Sequence, residues 1–103
     1  MDIETAIANI DQAGNEYVLV GKRPFSWGSP AKLIQPTQDY RVPQSVIDEG
    51  YEYLLGKEDI VMLLGYLKIK KISSKSTAEF IVHYAMCDAY PSWIEDIPNL
   101  TDL

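Results

Sequence analysis

The chain has 103 residues, 47% hydrophobic and 23% charged, with a net charge of −6. That length suits one domain around a single hydrophobic core, and the composition argues against wholesale disorder. Net acidity works against general nucleic-acid binding, which needs cations to displace counterions from phosphate, and against docking on an anionic membrane.

Residues 2–13 predict an amphipathic helix, with Ile3, Ala6, Ile7 and Ile10 on one face and Asp2 and Glu4 at the positive end of its dipole. "AGN" at 13–15 stops it. "EYVLVGK" at 16–22 reads as a strand, mostly buried because its apolar run is continuous. "RPFSWGSP" at 23–30 is a loop, and "KLIQ" at 32–35 a short second strand that would close a hairpin. A turn-rich connection over 35–43 ends at Pro43, which suits a helix start. "QSVIDEGYEYLL" then leans helical, although Gly50 and the β-prone Tyr51 and Tyr53 leave its second half open. "KEDIVMLLGYLK" at 57–68 is a clearer helix, with Glu58 and Asp59 opening it and Lys68, Lys70 and Lys71 at its C-terminal end.

Ser76 and Glu79 have the spacing of a capping box before an apolar run, so 77–89 reads as a helix in the core; the rival reading makes "EFIVHYAM" a buried strand. "SWIEDI" adds one last turn, and the tail after Pro98 is expected to fray. These elements predict a small single α+β domain over 1–103, mainly helical with a minor antiparallel sheet. The longest apolar run, 60–67, is too short to span a bilayer, and the N-terminus lacks the basic-then-apolar order of a signal peptide. Cys87 is the only cysteine, so no internal disulfide can form, and the expectation is a soluble protein of a reducing, cytoplasmic compartment.

Chemistry has little to stand on. His83 and Cys87 lie four apart on the expected helix, as in half a metal site or a thiolate–imidazole pair, but the chain holds no second His or Cys. The blander reading packs both in the core, with Glu79 as a partner for His83. Neither a P-loop nor a nucleophile elbow occurs, and the carboxylate pairs Asp48/Glu49, Glu58/Asp59 and Glu95/Asp96 read as solvated surface. No catalytic residue, metal or cofactor is expected. The lysines at 68, 70, 71 and 75 read as a solvated helix end rather than a nucleic-acid patch.

The charges themselves fall in alternating blocks: −4 over 1–21, +3 over 22–42, −4 over 43–59, +4 over 60–75 and −5 over 76–103. After Lys75 there is no base at all. Trp93 sits there among Asp88, Glu95 and Asp96, close to Tyr90; it closes the core or anchors an interface, as does Trp27 in its Pro/Gly loop.

In its "DEGYEYLLGKED" and "CDAYPSWIED" segments and its general character, the chain resembles the small acidic immunity proteins that bacteria make against their own toxins. That resemblance implies a non-catalytic inhibitor docking a basic toxin domain, often a nuclease, with carboxylates where phosphate would go. The implied contact residues are Asp48, Glu49, Glu52, Glu58, Asp59, Asp88, Tyr90, Trp93, Glu95 and Asp96, with acids speeding association and aromatics slowing release. Two other readings compete: a phage-type phosphate mimic that blocks a nucleic-acid-binding protein, and an adaptor subunit of a larger assembly.

Overall fold

A computed structural model describes residues 1–100. The first helix, α1 (Ile3–Ala8), buries Ile3, Ala6 and Ile7 as their spacing requires. Asp2 caps it, accepting the Thr5 N–H at 2.7 Å. The hydrogen bonds from Thr5 hold the Asp2 carboxyl below the usual carboxylate range. The helix ends at Ala8, five residues short of expectation, with Asn9 as its C-cap, and Ile10–Gln12 continue as one tighter 3-10 turn that still buries Ile10.

Three strands form one antiparallel sheet in the order β2-β1-β3: β1 (Val18–Gly21), β2 (Ala31–Ile34) and β3 (Glu52–Gly56). The continuous apolar run of β1 is explained by its central place, since Leu19 and Val20 are both buried. Gly21 is also buried, and a Cβ there would stand only 3.1 Å from the Leu54 side chain and 3.3 Å from that of Ile3, so glycine lets both pack directly against the strand. A bulge between Leu19 and Val20 lets both Leu54 and Leu55 of β3 reach buried positions.

The second half of 44–55, which the sequence left open, does not continue the helix. Only α2 (Gln44–Asp48) is helical, and none of its residues is buried. Gly50 then adopts φ +94, which ends the helix and turns the chain into β3. Strand pairing with β1 rewards Tyr53, Leu54 and Leu55 more than continuing an unburied helix would.

The next helix, α3 (Lys57–Leu67), follows β3 directly and buries Ile60, Leu63 and Leu67. The last, α4 (Ser74–Cys87), settles the helix-or-strand question for 78–86 and touches α1, α3 and β3. Its cap, however, is Ser73 rather than Ser76: the Ser76 N–H donates to Ser73 Oγ at 3.1 Å. The helix therefore starts three residues early and Ser76 is inside it, so no capping box with Glu79 forms. Ser73→Ala is expected to lower stability by about 1 kcal/mol, seen as a shifted urea midpoint, whereas Ser76→Ala should leave it unchanged.

One cluster of buried side chains joins every element except α2, running from Ile3, Ile7 and Leu19 through Leu55 and Leu63 to Phe80, Ile81 and Ile94. After α4, Ser92–Asp96 form a 3-10 turn. The tail beyond Pro98 does not fray over its described part: Lys71 N–H donates to the Pro98 carbonyl, and Leu100 N–H to that of Ile69 at 2.7 Å. Residues 101–103, including Asp102, lie outside the described residues.

Candidate interaction surface

The final turn of α4 and the segment after it bring five of the expected contact residues together. Asp88 closes α4 in the left-handed conformation, φ +52, its N–H bonded to the Tyr84 carbonyl at 2.8 Å. That reversal carries the chain back over α4, where buried Pro91 and Ile94 hold the 3-10 turn. Tyr90 thereby stacks on Tyr66 with centroids 4.9 Å apart and leans on Phe80 at 5.2 Å. Trp93 meets Phe80 edge-on at 6.2 Å and 78°. Phe80 itself is fully buried, so it forms the floor on which the two outer aromatics stand.

The aromatics divide their roles. Trp93 is half-buried and packed against the core, closer to the core-closing reading than to a free anchor. Tyr90 remains 46% exposed and Met86 52%, so the accessible apolar surface belongs to these two. Around them Asp88, Glu95 and Asp96 are exposed, and none has an ion-pair partner among the described residues. Asp88 is also badly placed for stability, since a carboxylate at a helix C-terminus faces the negative end of the dipole.

The acidic block at 48–59 is not one surface. Glu49 is bound to Lys32 at 3.0 Å, and Glu52 to Arg23 at 3.0 Å, while Asp48 accepts from the Gln44 amide at 2.8 Å. The bond to Glu49 raises the Lys32 pKa. Glu58 and Asp59 stand instead at the exposed start of α3, where Glu58 lines a groove with Asp11, Asn15 and Val61. Two of the expected contact acids are thus already neutralised inside the chain.

His83 is half-buried, but Cys87 is exposed rather than packed in the core, because the last turn of α4 runs past the elements that cover Ala78 and Ile81. Among the described residues no three His, Cys, Asp or Glu side chains converge as a metal site would require. Lys75 lies 4.3 Å over the Trp27 ring, so one member of the basic cluster is engaged in a cation–π contact.

Sequence pattern also missed a cleft. Tyr40, Arg41, Val42, Ile47, Tyr51 and Tyr53 surround a groove of about 640 Å³, with Tyr40 89% exposed at φ +61. On that sheet face Tyr51 lies under Lys22 and Lys32, each 4.9 Å from its ring. The only signal for this cleft was the aromatic content of 40–53, and the helix-leaning reading of 44–55 did not bring those rings together.

No protein-family model matches the chain, and no curated protein or solved structure matches it.

Proposed function

We propose that the chain is a non-catalytic binding protein, of the immunity-protein type, that neutralises a basic toxin domain through the surface around Tyr90. The observation that carries this reading is a set of three exposed carboxylates, Asp88, Glu95 and Asp96, without ion-pair partners among the described residues, beside an aromatic platform. Such an arrangement is electrostatically unfavourable in the free chain and is relieved when cations dock on it. Asp88 at the negative end of α4 gives the clearest case, since a neutral residue there would suit the free protein better.

The acids would steer a cationic partner into place, and Tyr90 with Met86 would supply the desolvated contact that slows release. Trp93 acts in this reading as support for Tyr90 rather than as the anchor. The acids at 48, 49 and 52 contribute little, because each is already engaged within the chain.

The test is co-expression with the product of the adjacent reading frame. Protection of the host together with a stable co-purified complex is the expected result. A chain that neither protects nor forms a complex would rule the immunity reading out.

A further inference from the structure

One side of α3 is apolar and uncovered. Val61 is 42% exposed, Met62 54% and Ile69, just past the helix, 57%, while Ile60, Leu63 and Leu67 face the core. At 3.6 residues per turn, Glu58, Met62, Gly65 and Ile69 fall on one outward line, with Val61 and Lys68 along its flank. A Cβ at Gly65 would meet nothing within 4 Å, so the line has a notch at its middle. Leu100, whose N–H is held by the Ile69 carbonyl, adds apolar surface at the C-terminal end.

The charges along this line are arranged antisymmetrically. Glu58 and Asp59 lie at one end and Lys68 at the other, and among the described residues none of the three is in an ion pair. Two antiparallel copies of such a helix complement each other: acid meets base at both ends, and the helix dipoles oppose. Seating Met62 of each copy over Gly65 of the other centres the pairing and brings Glu58 within one residue, about 1.5 Å of rise, of the level of the partner's Lys68. Glycine permits the close helix approach, and the flexible methionine fills the notch.

We propose that α3 is a self-association face, through which two copies of this chain pair antiparallel about a two-fold axis between Met62 and Gly65. A single short helix buries an area at the low end of specific interfaces, so the dimer forms in the micromolar range or weaker. It uses a different surface from the one around Tyr90 and does not depend on the function proposed above.

Sedimentation equilibrium of the full chain from about 5 to 500 µM reads the association directly. The wild type is expected to shift from monomer to dimer across that range. Gly65→Gln should fill the notch and weaken the dimer at least about ten-fold, while raising the melting temperature by a few degrees through better helix propensity. Lost folding therefore cannot account for lost pairing. Lys68→Glu should weaken it about ten-fold by setting like charges together at both ends, and Glu58→Lys with Lys68→Glu should restore it.

A wild type that stays monomeric at the highest concentration overturns the proposal, including the case in which a different protein covers the stripe. A Gly65→Gln dimer as tight as the wild type overturns it too, as another face would then be responsible. Failure of the charge swap to restore pairing overturns the antiparallel arrangement.

Discussion

Phe80→Ala is expected to cost about 3–5 kcal/mol of folding free energy, a large part of what a domain this size possesses. Phe80 is fully exposed to the core and not at all to solvent, and three other rings lean on it: Tyr66 at 6.0 Å, Tyr90 at 5.2 Å and Trp93 at 6.2 Å. Removing it takes away the buried area of one ring and leaves a cavity that rigid neighbours cannot easily close. Those neighbours are held from two sides, Tyr66 by α3 and Trp93 by the turn after Pro91. Urea unfolding followed by circular dichroism gives the number directly. A loss below about 1.5 kcal/mol would mean that the aromatics collapse into the space, and that Phe80 is not the floor of the Tyr90 surface.

Neutralising the three acids, as Asp88→Asn, Glu95→Gln and Asp96→Asn together, is expected to have the opposite profile. Association with the co-purified partner should slow by about 10- to 100-fold at low salt, and the salt dependence of the rate should flatten. Stability should hold or rise, by about 0.3–1 kcal/mol, because Asp88 no longer opposes the dipole of α4. The two readouts separate recognition from packing: Phe80→Ala removes the platform and much of the stability together, whereas the triple variant removes only the attraction. Stopped-flow association at two salt concentrations, with urea unfolding of the same preparations, measures both. An unchanged association rate would place the contact elsewhere, with the Tyr40–Tyr53 cleft the next surface to probe.

Where the sequence was legible, a periodic pattern met a packed neighbour. The Ile3–Ile10 stripe, the β1 run and the outlines of α3 and α4 all follow from apolar spacing, because each buries the side its pattern marks. The failures have a common cause in context. Residues 44–55 carry residues acceptable to a helix, but an α2 with no buried side chain cannot extend, and β1 offers 52–56 a paired edge. Ser73 outcompeted Ser76 as a cap because α4 could begin three residues earlier, and both serines satisfy the same local chemistry. Asn99 and Leu100 are held by Lys70 and Ile69, contacts across about thirty residues that no local pattern announces.

The base-free stretch after Lys75 was visible from residue order alone, as were the acidity, the lone cysteine and the small α+β character, since each depends only on composition or local periodicity. Which acids remain unpaired was a tertiary matter. Lys32 lies 17 residues from Glu49 and Arg23 lies 29 from Glu52, and only the sheet brings these pairs to 3.0 Å. The same folding placed Trp93 against Phe80, left Tyr90 outside and turned one line of α3 to solvent. Charge is a property of a residue, but whether that charge or ring is available to another molecule depends on what the rest of the chain packs against it.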